Sequence, residues 1–405
     1  MVKRRPRLAV VSPFLDKRHG TERRVVEWIA QLTASFEVHV YSQRVEDLDL
    51  GKITWHRVSA LPGPHLLAYL WWFAANQLQR WWHKRFKGLR YDIVFTPGVN
   101  CFDADVISVH VVFGEYVQRV GAQFSLARNA PSSWPRLAHR KLYYRLIRLL
   151  EGRIYRRPGV TLVLIAKKTG YELERHYGCK GPFPVVYLGL DREAFNPARR
   201  KAMRAAARAK LGVPDQHFVL LLVGNDWHNK GVPVLLDALS QLRELPIDVW
   251  IAGSDDASLW QAAIEQRGLQ ERVRALPPRK DIEFYYAAAD VYVGPSLEDT
   301  FALPPAEAMA CGLPVIVSAS NGTSEIITDG TDGLVLPDPT DSERLAGMIR
   351  HLHDDRAFAQ RLGDNAAETA RRYTWERNGR ELTAIFEEVA RRRARLETQP
   401  LTQVS

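Results

Sequence analysis

Short apolar runs alternate along this chain with longer stretches whose apolar residues recur at helical spacing. Residues 7–12 predict a strand, and residues 22–33 a helix with Val25, Val26, Ile29, Ala30 and Leu32 on one stripe. Further β-branched or apolar runs predict strands at 38–41, 93–95, 106–109, 162–165 and 185–187. The scheme begins again at 218–223 and continues at 249–251, 273–275, 291–293, 315–317 and 334–336. Two sets of strands separated by helix-length segments predict an α/β protein with two doubly wound parallel sheets. Residues 201–210, rich in Ala and Arg, read as a solvated linker helix between them.

Composition sharpens this picture in three ways. A chain of 405 residues has room for two cores. Its net charge of +10 is unevenly spread: residues 1–185 hold 30 Lys+Arg against 14 Asp+Glu, and the remainder holds 26 against 32. A basic half points to an anionic partner, whether a membrane surface, a lipid phosphate or nucleic acid. No RNP, helix-turn-helix or zinc-finger pattern accompanies the charge, so nucleic acid is not expected. Cys101, Cys179 and Cys311 lie far apart, which argues against a disulfide framework or structural zinc and fits a reducing cytosol. The first apolar run is too short for a signal peptide, and no run reaches the length of a membrane span. The expected location is therefore cytoplasmic, at the inner face of the membrane if the basic half meets lipid. Residues 66–86 hold Trp71, Trp72, Trp81 and Trp82 with Arg80, Lys84 and Arg85, followed directly by Lys87, and residues 134–157 add Tyr143, Tyr144 and Tyr155 among arginines. Such stretches fit a membrane interface and ordinary core with a solvated face equally well.

The chemistry concentrates in residues 295–318. An apolar strand stops at Pro295, a loop carries Glu298 and Asp299, and Pro304 and Pro305 occupy a first helical turn. Helix-forming residues follow to Cys311, and Gly312 with Pro314 stops the helix before the next strand. Carboxylates and backbone N–H groups thus meet at one helix start, where N–H groups suit phosphate and carboxylates suit sugar hydroxyls. An ordinary β-loop-α corner with acidic residues at a helix start is the alternative.

This stretch resembles the signature of the retaining glycosyltransferases of family 4, which have the GT-B fold. That family carries Glu, seven residues and Glu, with Phe-Gly inside. Here Asp299 stands for the first Glu, Phe301 and Ala302 for Phe-Gly, and Glu307 for the second Glu. In the loop 223–231, Lys230 and Gly231 match the family's Lys-Gly, whereas Asn225 stands where Arg is expected. The loop 16–23 matches a glycine loop at Gly20, with His19 in place of the other glycine, and equally reads as a helix cap at Thr21. His110 ends a strand where the family has a donor-facing histidine, though a lone histidine is often structural. Residues 322–325 resemble the family's Gly-Gly-x-x-Glu loop, with Glu325 foremost a first-turn carboxylate.

The resemblance implies two Rossmann-like domains facing a central cleft. Residues 1–187 would bind acceptor and 188–372 nucleotide sugar, with 373–396 a helix crossing back to the first domain and 397–405 a disordered tail. It implies a hexosyltransferase-type, retaining, metal-independent enzyme with no cofactor beyond the nucleotide sugar, a UDP- or GDP-sugar, as substrate. Lys230, Asp299 and His110 would be catalytic, and Gly20, Asn225, Glu298, Phe301, Ala302, Leu303 and Glu307 would bind the donor. Glu307 would take ribose hydroxyls and Asp299 hydroxyls of the donor sugar, while the N–H groups around Phe301, Ala302 and Leu303 would join Lys230 on the diphosphate. The acceptor would be a saccharide or lipid-linked saccharide, as in cell-envelope or exopolysaccharide synthesis. Two alternatives stay open: a nucleotide-sugar epimerase of the same fold, and a nucleotide-sugar-binding protein with weakened turnover.

Overall fold

The computed structural model describes residues 4–16, 20–121, 134–214 and 216–398. The chain divides into two compact units, Met1–Leu188 with Trp375–Ser405, and Gly189–Thr374. Expectations for His19 and for residues 399–405 lie outside the described residues.

Unit 1 contains β1 (Arg7–Val11), β2 (Phe14–Leu15), β3 (Glu37–Ser42), β4 (Arg44–Val45), β5 (Ile53–Arg57), β6 (Ile93–Pro97), β7 (Val106–Val109) and β8 (Thr161–Leu164). Its helices are α1 (Gly20–Leu32), α2 (His65–Phe86), α3 (Phe113–Val120), α4 (Trp134–Ile154) and α5 (Lys168–Tyr177). Six strands form one parallel sheet in the order β5-β3-β1-β6-β7-β8, while β2 and β4 pair separately. Val10 of β1 pairs with Val40 on one side and Phe95 on the other. Covered on both faces, β1 needs apolar residues from Leu8 to Val11, which is why those positions read as an unbroken run.

Two strand expectations in this unit need correction. The edge strand β5, with sequence ITWHR, was not foreseen. It is half exposed and has no apolar run, so its pairing with β3 makes it a strand. Residues 185–187 are not a strand but a single bridge, Val185 to Leu164. Pro182 and Pro184 just before it supply no N–H to extend a ladder.

Unit 2 repeats the topology with β9 (Phe218–Val223), β10 (Ile247–Ala252), β11 (Val273–Leu276), β12 (Val291–Gly294), β13 (Val315–Ser318) and β14 (Leu334–Leu336), in the order β11-β10-β9-β12-β13-β14. Its helices are α6 (Pro197–Leu211), α7 (Val232–Ser240), α8 (Gln261–Gln266), α9 (Glu283–Ala288), α10 (Leu303–Ala310), α11 (Ser342–Asp354) and α12 (Arg356–Ala370). Leu220, Leu222 and Ile251 of the sheet pack with Leu235 and Leu239 of α7 and Ile349 of α11 in the core. Helix α6 is not simply solvated. Arg200, Arg204 and Arg208, one helical turn apart, reach the carbonyls of Tyr286, Ala287, Ala288 and Ala289 at the end of α9. Those carbonyls have no intrahelical partner, and the guanidinium groups satisfy them while their stems cover apolar surface.

The last helix, α13 (Trp375–Thr398), packs within unit 1. Phe386 meets Phe95 at 5.2 Å between ring centroids, and Asn378 accepts from Trp28 Nε1 at 2.6 Å while donating to the Tyr187 carbonyl at 2.7 Å. An ion pair from Arg393 to Asp105 secures its far end.

Candidate functional site

In both sheets the strand order reverses beside the first strand of the unit, between β1 and β6 and between β9 and β12. Loops leaving the carboxyl ends of parallel strands diverge at such a reversal and leave a crevice for a ligand.

In unit 2 the loop after β9 and the loop after β12 lie on either side of this point, and glycine lets them touch. At Gly231 φ is +80°, and an added Cβ would stand 2.1 Å from the Pro295 carbonyl oxygen. Any other residue forces the loops apart. Asn229 then clasps the second loop, donating through Nδ2 to the Glu298 carbonyl at 2.8 Å and accepting at its own carbonyl from Leu297 N at 2.7 Å. Asp255 accepts from the N–H groups of Asp226 and Trp227, at 3.0 and 2.8 Å, and holds the first loop from below. The result is an ion pair between Lys230 Nζ and the Asp299 carboxylate, each side chain just over four-fifths shielded from solvent.

A third loop, after β13, completes the wall. Gly322 N donates to the Asp299 carbonyl at 2.9 Å, and Asn321 Oδ1 accepts from Thr323 N at 3.0 Å and from Ala302 N at 3.4 Å. Thr323 Oγ1 donates to the Ala302 carbonyl at 2.7 Å. Ala302 caps α10, so both of its backbone groups are engaged before any ligand arrives. Pro304 and Pro305 follow Leu303 in the first turn and carry no N–H. The cluster of phosphate-binding N–H groups expected around Phe301, Ala302 and Leu303 is therefore narrower than the sequence suggested, with Leu303 the one N–H among the first three helical residues. Phe301 and Glu298 are both buried. Glu307, on the next turn of α10, is buried and accepts at Oε2 from Tyr286 Oη at 3.0 Å. Burial pushes the Tyr286 phenol well above its ordinary pKa and keeps it a donor. Asn225 does not extend alone as a clamp. Its Oδ1 accepts from Ser254 N at 2.8 Å and Ser254 Oγ at 2.9 Å, tying the end of β9 to that of β10.

Unit 1 has a crevice of about 270 Å³ at its own reversal, lined among others by Ser12, Glu22, Gly98, Asn100, His110 and Glu151. Gly20 is the first residue of α1. Arg24 Nη1 donates to His110 Nδ1 at 3.2 Å, because a guanidinium can only donate. The tautomer follows: Nε2 carries the proton and donates to Ser108 Oγ at 2.8 Å. Burial, and then the Arg24 charge, hold His110 well below its ordinary pKa, so it is neutral. Both of its ring nitrogens have protein partners, which differs from the ligand-facing histidine expected. Beside it, Glu151 accepts from Phe113 N at 3.1 Å, Tyr155 Oη at 3.4 Å and Tyr177 Oη. Burial outweighs these donors and pushes its carboxyl up to about 7.

Among the described residues no group of three or more His, Cys, Asp or Glu is arranged to hold a metal ion. The sequence reading missed Asn229, Asn321, Tyr286, Arg24, Ser108 and Glu151 as builders of these sites. Asn229 and Asn321 had a signal, each standing beside a matched motif, whereas nothing local marked Tyr286 or Glu151.

Residues 203–369 match the family described as glycosyl transferases group 1. A D-inositol 3-phosphate glycosyltransferase from Streptomyces bingchenggensis is 31% identical over 252 residues, covering 58% of this chain and 54% of that one. Another, from Catenulispora acidiphila, is 33% identical over 217 residues, half of each chain. The chain spans about half the length of the curated relatives it matches. Solved structures match nearly throughout. Sucrose-phosphate synthase from Thermosynechococcus elongatus superimposes with TM-score 0.76 at 20% identity, over 95% of this chain and 99% of that one. WaaG, a glycosyltransferase involved in lipopolysaccharide biosynthesis, gives 0.74 at 21%, over 93% and 99%. Anabaena HepE, solved in complex with UDP and glucose, gives 0.69 at 19%, over 95% and 100%.

Proposed function

From the premise that residues 203–369 belong to the glycosyl transferases group 1 and that the chain has the GT-B fold, we propose a retaining, metal-independent sugar transfer from a UDP-sugar to a hydroxyl of a saccharide or lipid-linked acceptor. The Lys230–Asp299 ion pair at the unit 2 crevice carries this reading. An ammonium has three N–H donors. One is spent on Asp299, which aims the group, and two remain for diphosphate oxygens as charge develops on the leaving nucleotide. Such preorganised charge contributes ~10²–10³ in rate per group. The other face of the Asp299 carboxylate takes a hydroxyl of the donor sugar, with Glu298 beneath it. Glu307, steadied by Tyr286, takes ribose hydroxyls. The Leu303 N–H and the Asn225 amide complete the diphosphate cradle, with Phe301 and Ala302 shaping its floor.

Unit 1 takes the acceptor past Gly20 and His110. His110 is a positioning group there, since it is neutral and its one N–H is directed at Ser108. A UDP-sugar donor is supported by the HepE structures, solved with UDP and with UDP-glucose. A polyol-like acceptor hydroxyl is supported by the names of the inositol-phosphate relatives.

The test is a thermal-shift and hydrolysis screen of nucleotide sugars with wild type and Lys230→Ala. A UDP-sugar should stabilise the wild type and slowly lose its sugar to water, with both effects weakened in the variant. If no nucleotide sugar shifts the wild type, the donor site is misassigned. If the bound sugar is isomerised without acceptor, the reaction is an epimerisation.

A further inference from the structure

Helix α2 is 22 residues long and carries no acidic side chain, and no Asp or Glu occurs in the sequence between Asp49 and Asp92. Its core side is well defined. Trp72, Phe73, Asn76, Arg80 and His83 are buried. Asn76 Nδ2 donates to the Asn100 carbonyl at 3.1 Å, Trp72 Nε1 donates to Asn100 Oδ1 at 3.0 Å, and Arg80 forms a bidentate pair with Asp103. These contacts fix how the helix is rotated on the sheet.

That rotation turns a second apolar stripe outward. At 100° per residue, Leu67, Leu70, Trp71, Ala74, Leu78, Trp81 and Trp82 fall within roughly 60° of one line, directly opposite the core. Leu78 is 65% exposed, Trp81 59% and Trp82 46%, and Phe86 continues the surface at 61%. The stripe runs most of a helix about 33 Å long, and contiguous exposed apolar surface of this kind marks an interaction site. It ends in exposed Lys84, Arg85, Lys87 and Arg90. The Lys87 ammonium lies 5.0 Å from the Trp82 ring centroid, and the Arg85 guanidinium 5.6 Å from that of Phe86.

We propose that this outward face of α2 docks the protein flat on an anionic lipid bilayer. Charge complementarity selects the occupant. An acid-free helix with cations beside tryptophans fits headgroup phosphates over acyl chains, where indole rings sit at the interface and Lys and Arg reach the phosphates. The core-side anchors keep α2 part of unit 1, so the helix lies on the surface. No helix among the described residues is long and apolar enough to cross a membrane. This docking is independent of the transfer reaction proposed above.

Flotation of the full chain with vesicles tests it, using phosphatidylcholine alone or with about a third phosphatidylglycerol, and no nucleotide sugar present. Wild type should float with the anionic vesicles, less so in high salt, and its tryptophan emission should shift to the blue. Two variants, Trp81→Ser with Trp82→Ser, and Lys84→Glu with Arg85→Glu and Lys87→Glu, should each weaken binding at least about tenfold. Both change exposed side chains only, and an unaltered melting curve confirms that they fold. Failure of the wild type to float, or flotation of both variants like wild type, overturns the proposal. So does a concentration-dependent dimer lost in the tryptophan variant without vesicle binding, which would give the face to a second copy of the chain. Because no donor is present, either result leaves the transferase reading to its own test.

Discussion

The two crevices share a topology and differ in chemistry. Each sits where a six-stranded parallel sheet reverses its strand order beside its first strand. In unit 2 that place holds opposite charges, Lys230 and Asp299, brought together by loops that only a glycine allows to touch. In unit 1 it holds a neutral histidine beside the Arg24 guanidinium, and a buried carboxyl that accepts from two tyrosine hydroxyls and a backbone N–H. The sheet therefore chooses where a ligand goes, and the loop residues choose what it can be. An ammonium aimed by a carboxylate suits an anionic ligand, and a neutral imidazole with a protonated carboxyl suits a hydroxylated one.

The comparison breaks first at the ion pair. Lys230→Ala should lower kcat by ~10²–10³ with little loss of stability. Asp299→Ala should cost less, and the double variant should fall barely below Lys230→Ala, because the two act as one unit. Additive losses in steady-state kinetics would separate their roles and remove the reason for coupling them.

A glycine exchange in each crevice sharpens the contrast. Gly231→Ala should lower stability to urea by about 2–4 kcal/mol, combining left-handed backbone with the clash at Pro295. Gly98 in unit 1 has φ +68° with nothing near its missing Cβ, so Gly98→Ala should cost only about 1 kcal/mol. Equal losses would mean that loop contact is not what Gly231 secures.

The smallest effect is confined to a pH window. Glu151 has a folded pKa of about 7 against an ordinary value of 4.5, so the folded state holds its proton more tightly. Its contribution is complete below pH 4.5 and is lost as pH rises to about 7. The total is at most about 3 kcal/mol. Glu151→Gln should flatten this part of the melting-temperature profile. A slope unchanged in the variant would assign it to other groups and make the unit 1 crevice an ordinary polar wall.

Legibility in the sequence followed burial. Central strands such as β1 and β9 are covered on both faces, so their buried positions had to be apolar and the runs stood out. The edge strand β5 had no such demand, and residues 185–187 looked like a strand while the prolines beside them denied it a ladder. Helix α6 was misjudged because arginine usually means solvent, and only the neighbouring end of α9 shows what its guanidinium groups satisfy. At the unit 2 crevice Lys230, Asp299 and Glu307 stood out through motif spacing, and Asn229 and Asn321 were marked only by standing beside those motifs.

Local sequence by itself determined the repeated α/β architecture, the breaks between elements and the residue types in the loops of the unit 2 crevice. Those features depend on interactions within a few residues: periodicity, proline and glycine punctuation, and the acidic stretch before a helix. Only the tertiary structure decided that Lys230 meets Asp299, that His110 is neutral with its proton on Nε2, and which side of α2 faces water. Each of these depends on groups tens of residues apart, whose approach is set by sheet order and packing, and no local pattern encodes it.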